Sequence, residues 1–142
     1  MLILKYQIDA FTDTVFKGNP AAVCPLVKWL PDHLLQSIAE EHNLSETAFF
    51  IKKSLRCYQL RWFTPHSEVD LCGHATLATA HAIFSQIDTN AASLEFETKS
   101  GVLTVTRNKK LLTMNFPSRP PLLQEFSPQR DPEAFFCLLS KD

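Results

Sequence analysis

Cys72, Gly73 and His74 stand where a polar stretch gives way to an uncharged run, and together they suit the handling of a small anion. The first amides of a helix have no partner within it and its dipole is positive there, so such a start holds a carboxylate or favours a thiolate. Gly73 lets a ligand approach the backbone. His74 is suited to donate toward a carboxylate or enolate oxygen, its alternative being a core histidine satisfied by a carbonyl. Cys72 has two readings: a buried small hydrophobe, or a thiol activated for acid/base or nucleophilic work.

Glu46, in Ser45-Glu46-Thr47, stands at the entrance to an apolar strand. It is either a solvated carboxylate or an acid/base whose apolar surround, with Phe49 and Phe50 nearby, suits it to take a proton from carbon. Asn19, in Gly18-Asn19-Pro20, stabilises a turn or reaches toward a ligand. His66, Glu68, Asp70 and Cys72 form a tempting metal cluster, but a mixed hard and soft set without helical spacing matches no single metal, and a solvated turn is the better reading. No metal site is expected.

These groups need elements to position them. Residues 75–84 read Ala-Thr-Leu-Ala-Thr-Ala-His-Ala-Ile-Phe, a helix without charge on any face. Such a helix is buried all round, and its small side chains suit a rod enclosed by sheet. His81, one heptad beyond His74, is then expected to be a core histidine.

Alternation and turn residues predict strands over 2–10, 21–26, 48–51, 58–63, 93–98, 102–106 and 111–116. The last three are joined as hairpins. An amphipathic helix starts at Pro31-Asp32 and ends near Asn43, with Leu34, Leu35, Ile38 and Ala39 on one face. The fold class expected is α+β, a curled mixed or antiparallel sheet wrapped around a buried central helix. Prolines from Pro117 to Pro121 then break regular structure, so 1–116 reads as one domain and 117–142 as a linker with the first helix of another.

With 142 residues, 45% hydrophobic and 11 of them Phe, the chain can build a substantial core. A net charge of −1 from 14 basic and 15 acidic residues offers no footprint for nucleic acid or an anionic membrane. Four widely spaced cysteines without a C-x-x-C pair, and no long apolar run, point to free thiols and a cytoplasmic location.

Three separated stretches carry a family resemblance: Gly18-Asn19-Pro20-Ala21-Ala22-Val23, Ser45-Glu46-Thr47-Ala48-Phe49, and the run from Arg61 through Cys72-Gly73-His74 to Thr76. In this order they resemble the N-terminal half of the PhzF-like phenazine biosynthesis family, whose fold is shared with diaminopimelate epimerase. The resemblance implies two similar domains with a cleft between them and cofactor-independent proton transfer on a small carboxylated metabolite. Glu46 takes the position of the family acid/base, and Gly73 and His74 that of its Gly-His pair; the loop at Asn19 lies near the cleft. Cys72 matches a cysteine that is catalytic in the epimerases. The chain is half the family length, so the expectation is an inactive half-site, the alternative being a non-catalytic carboxylate-binding or interaction module.

An isolated half exposes apolar surface, to which Phe135, Phe136, Leu138 and Leu139 add. The 142-residue chain should therefore self-associate, as a homo-oligomer or through the face meant for the second domain. Sedimentation should show a dimer or larger species, and a well-behaved monomer would count against the expectation.

Overall fold

A computed structural model describes residues 2–118. The elements are β1 (Tyr6–Ala10), β2 (Asn19–Leu26), α1 (Asp32–His42), β3 (Glu46–Ser54), β4 (Cys57–Phe63), β5 (Glu68–Val69), α2 (Gly73–Ala82), β6 (Ser93–Thr98), β7 (Gly101–Asn108) and β8 (Leu111–Asn115), with a π-helical turn (Ile83–Ile87) continuing α2. One mixed sheet runs β1-β2-β3-β4-β6-β7-β8, and the two-residue β5 pairs with β4. The sheet curls around α2. The expected linker and terminal helix, including Phe135, Phe136, Leu138 and Leu139, lie outside the described residues.

Two crossovers set the layers. Helix α1 joins the parallel strands β2 and β3, and α2 joins the parallel strands β4 and β6. Both steps go the same way along the sheet, but β3 and β4 are antiparallel. Right-handed crossovers from strands of opposite direction must place their helices on opposite faces. The packing agrees: Leu35 and Ala39 of α1 meet Cys24, Phe49 and Phe63, while α2 packs among Val23, Phe50, Trp62, Phe96 and Val105.

Helix α1 ends where the sequence places its end, at Asn43 in the left-handed conformation with φ 50°. Helix α2 begins two residues earlier than the uncharged run, at Gly73. Its two buried threonines are satisfied locally, Thr76 Oγ1 donating to the Cys72 carbonyl and Thr79 Oγ1 to that of Ala75. Helix α2 is thus enclosed without carrying an unpaired hydroxyl.

Enclosure is incomplete on one stripe. Ala80 and Phe84 are buried, Leu77 is half-buried, and His81 is exposed rather than a core histidine. The reason is that among the described residues the sheet stays open: β1 and β8 are its two ends, and they leave one line of the helix at i, i+4 spacing uncovered. Several strand bounds shift as well, and β3 is the longest extension, Glu46–Ser54 rather than 48–51. The first strand starts at Tyr6 rather than Leu2, and the second begins at Asn19, reaching the turn itself. Among the described residues no helix is long and apolar enough to cross a membrane.

The stripe gives a paired test. Ala80→Leu forces extra carbons into a closed interior and should destabilise by about 1–3 kcal/mol. His81→Gln, one residue on, should stay within about 0.5 kcal/mol of the parent. Urea midpoints compare the two directly.

Candidate active site

Strand register brings the separated residues to one end of the curled sheet. Ala21 pairs with Glu46 and Ala10 with Asn19, so the ends of β1, β2 and β3 are neighbours. Alternation turns Glu46, Ala48 and Phe50 toward α2 and Thr47 and Phe49 toward α1. Of the two phenylalanines beyond Glu46, only Phe50 shares its face. On the other face His42 Nδ1 lies 3.1 Å from Thr47 Oγ1, tying the end of α1 to the start of β3.

Glu46, Cys72 and His74 come together, with one ligand-type atom from each lying within 4.8 Å of the others. Glu46 Oε2 is 3.2 Å from His74 Nε2, an ion-pair approach. The contact does not meet hydrogen-bond geometry, and among the described residues the buried Oε2 has no hydrogen-bond partner. Ser45 Oγ lies 3.3 Å from the same ring nitrogen, and Cys72 Sγ lies 3.4 Å from the other, Nδ1. The site therefore has a member, Ser45, that was not singled out in the sequence. Its only signal there was its place beside Glu46.

Burial decides the state of Cys72. It pushes the thiol up to about 11, and the charge of Glu46 adds to this, against the lowering effect of the Ala75 and His74 amides. The helix start is present but loses to desolvation, so the sulfur is held as a thiol at neutral pH. Gly73 is different. A methyl at Gly73 would sit 3.6 Å from Met114 Cε, an ordinary contact, so packing does not require glycine there. Gly18 is required, because a methyl would collide with the Ala10 carbonyl and the Thr12 side chain.

Asn19 is exposed at the start of β2. Beside it, the loop after β1 presents Phe11 and Phe16, 73% and 92% exposed, and both hold left-handed backbone angles, φ 63° and 67°. The Phe16 amide donates to Asp9 Oδ2 at 2.8 Å, which helps to hold that shape. This aromatic rim was not singled out in the sequence.

Glu68, of the acidic residues in the turn before Cys72, is occupied elsewhere. Glu68 is paired with Arg61 at 2.8 Å and Lys99 at 2.6 Å, and the Arg61 hydrogen bond leads in holding its carboxyl below the usual range. Cys72 instead faces Glu46 and His74. These three could in principle hold a borderline metal such as zinc. However, Cys72 and Glu46 approach different nitrogens of the ring, so one ion on one nitrogen could reach both only after the imidazole turned. Two hollows, of about 370 Å³ beside Cys24 and His42 and about 320 Å³ beside Trp29 and Arg61, lie away from this cluster.

A profile of the PhzC-PhzF family, phenazine biosynthesis-like protein, matches residues 8–135. The chain belongs to this family. An uncharacterized isomerase of Pseudomonas aeruginosa is 56% identical over 116 residues, covering 82% of this chain and 44% of that protein. A mouse phenazine biosynthesis-like domain-containing protein is 47% identical, covering 87% and 45%. The crystal structure of a PhzC/PhzF protein of Clostridium difficile superposes with a TM-score of 0.79 at 52% identity, over 90% of this chain and 49% of that one. The PhzF-family chain thus spans less than half the length of the curated relatives it matches, and its curled sheet is the diaminopimelate epimerase-like domain.

The thiol state is directly testable. Alkylation of Cys72 by iodoacetamide should be slow at neutral pH and keep accelerating as pH rises toward about 11. Glu46→Gln removes a charge that opposes the thiolate, so it should speed the reaction at a given pH. Peptide mapping by mass spectrometry separates Cys72 from the other thiols.

Proposed function

We propose that these residues form one side of an isomerase or epimerase site that moves a proton at carbon of a small carboxylated metabolite without a cofactor. The observation that carries this reading is the convergence of a carboxylate, an imidazole and an open helix start. Glu46 Oε2, 3.2 Å from His74 Nε2, has no hydrogen-bond partner among the described residues. Glu46 removes the proton from a carbon next to a carbonyl or unsaturated system and returns it elsewhere. No group of the cluster competes for its Oε2 by a well-formed hydrogen bond.

Negative charge then develops on the substrate oxygen. His74 Nε2, on the edge shared with Ser45 and Glu46, is the ring atom that oxygen meets, and the Gly73 amide is a second donor. Gly73 supports this reading, because neither packing nor backbone angle calls for glycine there, a methyl meeting Met114 and Phe116 only at ordinary contact distance. The relatives named isomerases support the reaction class. Asn19 and the Phe11–Phe16 rim border the opening, where a second domain of the kind the family resemblance implies would exclude water and contribute the remaining acid.

On this reading a second domain completes the water-excluding wall, so the 142 residues assayed by themselves should produce no enzyme-dependent deuterium exchange into carboxylated substrates. Joined to the second half of a relative, they should support exchange. Glu46→Gln should lower that exchange by about 10²–10⁴-fold. Gly73→Ala should fold at least as stably, alanine being the better helix former, yet raise KM. Exchange that survives Glu46→Gln would overturn the assignment of the base.

A further inference from the structure

Cys72 and Glu46 lie against opposite edges of one buried imidazole. Sγ is 3.4 Å from Nδ1, whereas Glu46 Oε2 and Ser45 Oγ are 3.2 Å and 3.3 Å from Nε2. Both Cys72 and His74 are more than nine-tenths buried, at 7% and 8% exposure, so water does not arbitrate between them. A neutral imidazole carries its proton on one nitrogen only, and the neighbours select which.

With the proton on Nδ1, the ring would donate to sulfur, a weak acceptor that the Ala75 and His74 amides already approach. The Nε2 lone pair would then lie within 3.2 Å of a carboxylate oxygen, off its direct line but close enough for lone pair and negative charge to repel. Ser45 could donate to that nitrogen, but it would do so beside the repelling carboxylate. With the proton on Nε2, the positive edge of the ring faces Glu46. Nδ1 is then free to accept from the thiol. Every group in the cluster is better served by the second arrangement.

From this geometry we propose that Cys72 is a positioning residue whose S–H donates to His74 Nδ1 and holds the ring in its Nε2–H tautomer. The role requires the sulfur to keep its proton, which burial ensures. It differs from that of a nucleophile or an acid/base, for which the thiolate would be needed. The thiol never meets substrate in this arrangement; it keeps a donor on the edge where Glu46 works. The catalytic value of that donor rests on the proton-transfer reading above, but the tautomer belongs to the ring and is measured without substrate.

The test is long-range ¹H–¹⁵N correlation on the ¹⁵N-labelled 142-residue chain at about pH 8.5, above the ordinary histidine range. His74 is assigned by the loss of its signals in His74→Gln. The expected result is a protonated, pyrrole-like Nε2 and an unprotonated, pyridine-like Nδ1. Cys72→Ala should turn that single tautomer into an exchanging mixture, and Cys72→Ser, which restores a donor, should recover it. Backbone amide spectra identify any variant that has not folded, and the wild-type pattern stands as a test without variants. A wild-type ring protonated on Nδ1 would overturn the proposal. So would an unchanged tautomer in Cys72→Ala, or a Cys72→Ser ring that behaves like the alanine variant. Absence of deuterium exchange in the joined protein would instead count against the proposed function and leave the tautomer result standing.

Discussion

Helix α2 offers almost nothing to water. Of its ten residues, seven are buried, and its two buried threonines spend their hydroxyls on the helix's own carbonyls. A rod of this kind is stable only when apolar surface surrounds it, and its small alanines allow strands to approach closely on several sides. The curl of the sheet follows from that demand. A flat sheet would cover one face and leave the others wet, whereas seven strands in a continuous path wrap the helix except along the stripe through Leu77 and His81.

The same enclosure sets the chemistry at the helix start. The dipole and free amides there favour an anion, and the sequence alone leaves Cys72 open between a thiol they activate and a buried small hydrophobe. In the folded chain the sulfur is also removed from water and placed near a carboxylate, and those two effects outweigh the amides. The outcome is a division of labour. Glu46 retains partial access to solvent, and the more deeply buried sulfur stays neutral. Two negative groups in so small a space would oppose each other.

Much of this was legible before any coordinates. The uncharged run marked the central helix, Asn43 the end of α1, and the short alternating segments the strands. The relation between Glu46 and Cys72-Gly73-His74 was legible only through family resemblance, since nothing local in the chain states that β2 pairs parallel with β3. Register created the site. Three details were out of reach for physical reasons. Whether His81 is covered depends on where the sheet stops, the balance at Cys72 depends on depth, and Phe11 and Phe16 are apolar residues whose exposure depends on the conformation of a loop.

The two parallel pairings also bear on how the chain reaches this structure. The hairpins β3–β4 and β6–β7–β8 join neighbours through short turns and close at little entropic cost. The pairings β2 with β3 and β4 with β6 must each wait for a chain segment containing a helix to be gathered in. Glu46 meets His74 only when the first strand group and the folded-in helix are both in place. Loop-closure cost therefore favours a folding order in which local hairpins come first and the cluster of Glu46, Cys72 and His74 is among the last features to be completed.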